Sequence, residues 1–162
     1  GLDNCDGIWE DVCKNCDEID YIWNVVHFGD LKDWKKTKEE LKVIREKTKG
    51  KLKIIIEAYY LRRMDEKMYK VGLKRILKEA CNLVNKSGAD YIKTDSGLFK
   101  RPDFDSLVED CKILKRYSRL SIKAAGGIRN KFQAEELIKL GVKRIGTSNA
   151  VEIVTSDSDS DI

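Results

Sequence analysis

The chain changes local rhythm in the same way five times, and that repetition leaves few folds open. Five short stretches rich in β-branched and aromatic residues lie at 18–26 (EIDYIWNVV), 52–58 (LKIIIEA), 90–94 (DYIKT), 120–125 (LSIKAA) and 142–148 (VKRIGTS). Each suits a strand. After each, apolar residues return every three or four positions, as on one face of a helix. Asp33 opens a helix to about residue 47, with Trp34, Leu41 and Ile44 on its apolar side. The clearest helical pattern covers about 65–86, through Met68, Val71, Ile76, Leu77, Ala80, Leu83 and Val84, and Gly88 stops it. Asp103 or Asp105 caps a helix to about Tyr117, Asn130 caps one that closes at Gly141, and 149–154 forms a last short helix. A first helix is expected over 3–16, through Ile8, Trp9, Val12 and Cys13. Strict alternation implies parallel strands joined by right-handed crossovers. Two architectures remain: an open doubly wound sheet, or part of a (β/α)8 barrel. A complete barrel takes about 250 residues and eight strands, more than this chain supplies.

Charge excludes several classes of function. The 32 basic and 28 acidic residues are interleaved and leave a net charge of only +4, so no basic stripe for nucleic acid forms. No apolar run reaches the length of a membrane span, and no signal peptide opens the chain. Five cysteines (Cys5, Cys13, Cys16, Cys81 and Cys111) lack a disulfide-framework spacing and suit reduced thiols in the cytoplasm. Cys13 and Cys16 form a CxxC pair, but no second pair completes a metal site. His27, the single histidine, follows the first strand and suits a loop or core role; Trp9, Trp23 and Trp34 suit packing. The first residue is Gly1, as expected of a chain trimmed or excised from a longer one. The Ser/Asp-rich stretch 155–162 cannot build a core and is expected to be a disordered tail, leaving 1–154 as the folded domain.

In parallel α/β folds, reactive groups gather at the carboxyl ends of the strands. Side chains alternate along a strand, so parity sorts them. Ile19, Tyr21, Ile54, Ile56, Ile92 and Ile122 turn toward the covering helices; Asp20, Lys53, Glu57, Lys93 and Lys123 turn to the other face. Charges there can form a mutually satisfied salt-bridge layer, the reading favoured for Glu57 and an even alternative for Lys53. Lys93 and Lys123 end adjacent strands at glycine-bearing turns, which points to chemistry instead. Two lysines buried together lower the pKa of at least one, and a neutral lysine amine attacks carbonyl carbon. Gly126-Gly127 and the Gly146-Thr147-Ser148-Asn149 turn each precede a helix, where backbone amides accept a phosphate. Arg129 either adds a charge there or lies on the surface.

At these residues the sequence resembles the deoxyribose-phosphate aldolases. EIDYIWN, LKIIIEA, SGADYIKTDSG, IKAAGGIRN and RIGTSNAVEIV occur in that family's order and approximate spacing, over nearly the whole chain apart from the tail. The resemblance implies a TIM barrel and a class I aldolase that needs no metal or other cofactor. It implies Lys93 as the Schiff-base lysine, Lys123 as the lysine that perturbs it, and Asp20 as the acid of the proton relay. Lys53 and Thr94 would belong to the substrate site, with Gly126, Gly127, Gly146, Thr147 and Ser148 around the 5-phosphate. The implied reaction is reversible cleavage of 2-deoxy-D-ribose 5-phosphate to glyceraldehyde 3-phosphate and acetaldehyde, in deoxyribonucleoside catabolism.

Three departures qualify the resemblance, one of them GTSNA at 146–150 where the family more usually reads Gly-Thr-Ser-Ser-Gly. Asp95 stands where the family usually has serine, and could pair with Lys93 or repel the phosphate. The family's first three strand-helix units have no counterpart, so five of eight strands are expected. Such an incomplete ring would leave Lys53, Lys93, Lys123 and Asp20 in water. It would need a further segment or a homo-oligomer to close. Two other readings stay open: a catalytically silent partial barrel that binds or builds, and a different phosphate-binding Schiff-base aldolase.

Overall fold

The computed structural model describes residues 13–25 and 34–156. The expectations placed on Trp9, His27, the Asp33 cap and the last residues of the acidic stretch lie outside them. The elements run β1 (Glu18–Ile22), α1 (Trp34–Lys47), β2 (Lys51–Ile55), α2 (Ala58–Met64), a π-helical turn (Asp65–Tyr69), α3 (Leu73–Val84), β3 (Tyr91–Lys93), α4 (Asp105–Tyr117), β4 (Ser121–Ala125), α5 (Lys131–Lys139), β5 (Arg144–Gly146) and α6 (Ala150–Thr155). The five strands form one sheet in sequence order, every neighbouring pair parallel. This is a half-barrel, five of the eight strands that a closed ring of this kind requires.

The core lies between the sheet and its helices. Ile19, Leu52, Ile54, Ile56, Ile92, Ile122 and Ala124 present the sheet's outer face. Leu41, Ile44, Ile76, Leu77, Leu107, Leu114 and Leu137 from the helices pack on it. All are buried, as alternation along the strands and the 3.6-residue helical period require. The start of β2 depends on close backbone approach. A Cβ at Gly50 would stand 2.3 Å from the Asp17 carbonyl oxygen, so only glycine fits there.

The strands are shorter than their apolar runs suggest, and the single helix expected over 65–86 is broken in two. The break centres on Asp65. Its carboxylate accepts the Val71 and Gly72 amides at 2.9 and 3.1 Å. Lys70 and Gly72 adopt positive φ, at 49° and 93°, and turn the chain into α3. Met68 and Val71, assigned to the buried face from their spacing, are exposed. Helix α2, over AYYLRRM, had no place in the sequence reading. Asn130 caps α5 as expected, its side chain accepting the Gln133 amide at 3.0 Å.

Candidate active site

The concave face of the sheet carries a connected set of charges. Strand register sets Asp20 beside Lys53, Lys93 beside Lys123, and Lys123 beside Arg144. One oxygen, Asp20 Oδ2, accepts hydrogen bonds from Lys93 Nζ at 2.8 Å and Lys123 Nζ at 2.7 Å. Asp20 Oδ1 takes Lys53 Nζ at 3.1 Å, and Lys53 also pairs with Glu18 at 2.8 Å. Glu18 is gripped in turn by both terminal nitrogens of Arg144, with Nη2 at 2.7 Å from Oε1. The Arg144 guanidinium lies over the Tyr91 ring, 4.8 Å from its centroid. In a ring of eight, strands four places apart stand opposite each other, as β1 and β5 do here. The Glu18–Arg144 pair therefore spans the open face from one edge strand to the other.

This network corrects, for Lys53 and Lys93, the expectation that an incomplete ring leaves its inner charges in water, whereas Lys123 is half-buried and Asp20 is exposed. Lys53 and Lys93 are 4% and 8% exposed. Pairing and the curl of the sheet cover them. Burial works to raise the Asp20 pKa, but hydrogen bonds from Lys123, Lys93 and Lys53 outweigh it and hold the carboxyl below the usual range. Hydrogen bonds from Arg144 and Lys53 bring Glu18 down to about 2. Burial opposes charge on Lys53, yet Glu18 and Asp20 raise its pKa. The sequence reading set the two amines against each other; the structure puts one carboxylate oxygen between them. Lys51 also lies 3.7 Å from Glu18, so two carboxylates serve five basic side chains here.

Above this layer, at the carboxyl ends of β3, β4 and β5, opens a cavity of about 600 Å³. Lys93 and Lys123 reach its floor, and Gly126, Gly127, Gly146, Thr147 and Ser148 line it. Lys100, Arg101 and Arg129 add three more cations, and no carboxylate is among the lining residues. The wall suits an anion. Arg129, open in the sequence to either a cavity or a surface role, is at the cavity. Lys100 was missed, and its place in a loop seven residues beyond Lys93 gave no periodic signal. A Cβ on Gly126 would meet Asp95 Oδ2 at 3.2 Å, and its φ of 104° favours glycine, so the β4 loop packs tightly at this wall.

Three expected placements differ. Thr94, assigned to the substrate, is fully buried. Its hydroxyl donates to the Ala125 carbonyl and accepts the Ala125 amide, at 2.8 and 2.9 Å, latching β3 to β4. One residue past Lys93, its parity turns it from the cavity. Glu57, expected in the salt-bridge layer, makes no ion pair among the described residues; its Oε1 accepts the Ser96 amide at 3.0 Å. Asp95 turns to Arg101 at 2.8 Å and accepts the Tyr59 amide at 2.9 Å, so it pairs with neither Lys93 nor Lys123. Arg101, fully buried, also holds Asp110 at 2.7 Å. Lys53 joins the site from below, through Asp20, and is not part of the cavity wall.

The CxxC cysteines diverge, Cys13 buried and Cys16 exposed, and both are free thiols. Among the described residues no cluster of histidine, cysteine and carboxylate side chains could hold a metal ion. No described helix is long and apolar enough to cross a membrane.

No protein-family model matches the chain. Deoxyribose-phosphate aldolases do. That of Thermococcus kodakarensis is 36% identical over 149 residues, covering 88% of this chain and 59% of the relative. That of Treponema denticola is 36% identical over 146 residues, covering 86% and 60%. That of Clostridioides difficile is 33% identical over 156 residues, covering 94% and 64%. The chain thus spans about 60% of the length of these curated relatives. Among solved structures, QR15, an aldolase, superposes with a TM-score of 0.73 at 31% identity, covering 90% of this chain and 60% of that one. The tetrameric deoxyribose phosphate aldolase of Aeropyrum pernix, with a TM-score of 0.60 at 22% identity over 86% of this chain and 54% of that one, shares the fold.

Proposed function

This chain belongs to the deoxyribose-phosphate aldolase family, and from that premise we propose that it carries the lysine machinery of a class I aldolase acting on 2-deoxy-D-ribose 5-phosphate. The observation that carries the proposal is the shared oxygen of Asp20, which holds Lys93 and Lys123 together at the floor of a cationic cavity. In this reading the neutral Lys93 amine adds to the C1 carbonyl of the open-chain sugar, and loss of water gives an iminium ion. Removal of the C3 hydroxyl proton breaks the C2–C3 bond. Glyceraldehyde 3-phosphate leaves, and the electron pair rests in an enamine on Lys93. Protonation at the enamine carbon and addition of water release acetaldehyde and restore the amine. Asp20 Oδ2 touches the nitrogen that reacts and also accepts from Lys123, so this oxygen links the three groups along a path for protons. The 5-phosphate meets the Gly126-Gly127 and Gly146-Thr147-Ser148 loops, with Lys100 and Arg129 at the same wall.

Borohydride reduction in the presence of acetaldehyde tests this directly. Peptide mass spectrometry is expected to find the ethyl adduct on Lys93 and not on Lys123; an adduct on Lys123, or scattered over surface lysines, overturns the assignment. Among the described residues no strand pairs with the outer edges of β1 and β5, which favours one alternative, a silent partial barrel. That reading predicts no adduct above the background of exposed lysines.

A further inference from the structure

Among the buried acids that the mechanism above leaves unused is Glu57. Glu57 is 1% exposed, and burial pushes its carboxyl pKa up, against the opposing pull of Ser96. Its Oε1 accepts the Ser96 amide, while Oε2 has no hydrogen-bond partner among the described residues. Its backbone is also unusual. Glu57 sits at φ 53° and ψ 56°, left-handed space that side chains with a Cβ disfavour. A residue that filled only space would be apolar here and would avoid that conformation.

The neighbours explain why the chain accepts both features. The Ile56 and Ala58 amides bond to the carbonyls of Lys93 and Thr94, at 3.0 and 2.9 Å. The end of β2 therefore stays attached to β3 while the chain turns into α2. The left-handed step at Glu57 makes that turn and leaves its carboxylate on the Ser96 amide. The reverse bond is also present. Asp95 Oδ1, from the β3 loop, accepts the Tyr59 amide at the start of α2. Each segment thus contributes one carboxylate to the other's backbone. Ser96, Gly97, Phe99 and Lys100, which follow in that loop, line the cavity beside Lys93.

We propose that Glu57 is a positioning residue: through the Ser96 amide it fixes the loop that forms one wall of the Lys93 cavity. The inference rests on the aldolase reading only for what the cavity does, not for the brace itself. Strain concentrated beside a site, and maintained by surrounding bonds, is the pattern expected of such a device.

Three variants separate positioning from bulk. Glu57→Gln keeps an oxygen able to accept the Ser96 amide. Glu57→Gly suits the left-handed backbone but removes the acceptor. Glu57→Asn also tolerates that backbone, with a side chain one methylene too short. Amide hydrogen exchange over 94–101, read by mass spectrometry, is expected to accelerate about tenfold or more in the glycine and asparagine variants and to stay near wild type in the glutamine variant. Acetaldehyde trapping at Lys93 should follow the same order, lost with glycine and rescued with glutamine. Unchanged exchange in a folded glycine or asparagine variant overturns the proposal. So does a glutamine variant that behaves like glycine, because the hydrogen bond would then not be the agent. If wild type gives no adduct at Lys93, the aldolase reading fails, while the exchange comparison still decides the brace. Should the glycine variant fail to fold, the asparagine and glutamine pair decides it alone.

Discussion

Glu18 opens β1 and Glu57 follows the end of β2, at opposite ends of the same sheet, and their environments act on them in opposite directions. Arg144 and Lys53 hold Glu18 at about 2, below its ordinary 4.5. Between those values the unfolded chain binds more protons than the folded one, so this contribution is complete above pH 4.5 and is lost as pH falls toward 2. Thermal melts by circular dichroism should therefore show Glu18→Gln less stable than wild type at pH 7, with the gap closing as pH falls through that window. A gap that persists at pH 2 would remove Glu18 as its cause. Glu57 has the reverse sign. Its folded pKa is raised by burial, so its contribution weakens as pH rises above the ordinary carboxyl value. Glu57→Gln should raise the Tm at pH 7 and leave it nearly unchanged near pH 4. Thr94 supports a third prediction. Thr94→Val leaves the buried Ala125 amide and carbonyl without the hydroxyl. A loss of about 1–3 kcal/mol is expected in urea unfolding, with trapping at Lys93 retained. A ligand-binding residue would reverse that pattern.

Element by element, alternation and parity were readable because each residue's local pattern agreed with its place in the fold. Lys93, Lys123, Asp20 and Lys53 converge from four strands because period-two alternation puts them on one face. The failures came where side chains serve partners distant in sequence. Nothing in the local pattern of IIIEAYYL shows that Glu57 turns left-handed to reach an amide beyond β3. Asp95 looked like a disturbance beside the nucleophile. Arg101, six residues on in the same loop, and Asp110 in α4 turn it into a buried network that strand parity does not encode. The helix expected over 65–86 failed for a related reason. The apolar spacing continues through Val71, but Asp65 closes a turn on the Val71 and Gly72 amides, an arrangement that spacing does not encode. Asp65→Ala should cost about 1 kcal/mol, the usual value of a side-chain cap. It should also speed amide exchange at 71–73 without affecting β3 or β4. Uniform acceleration across the sheet would show that the turn is coupled to the whole fold.

At the scale of the molecule, β1 and β5 are the edges of a curled parallel sheet, and unpaired parallel edges attract further strands. Exposed Val151 and Val154 on α6, which follows β5, add apolar surface. Sedimentation velocity on this chain alone should show concentration-dependent association, reduced by Val151→Lys together with Val154→Lys; a monomer at every concentration would mean that the edges are already protected. The cavity is distributed unevenly over this arc. Its walls come from the turns after β3, β4 and β5, whereas β1 and β2 supply Glu18, Asp20 and Lys53 as posts beneath it. Recognition and support are therefore separable inheritances. Mutational drift in the supporting strands is answerable to charge balance, and drift in the three turns to the shape of the guest. A lineage carrying such an arc can change what it admits without rebuilding the foundation that keeps its lysines together.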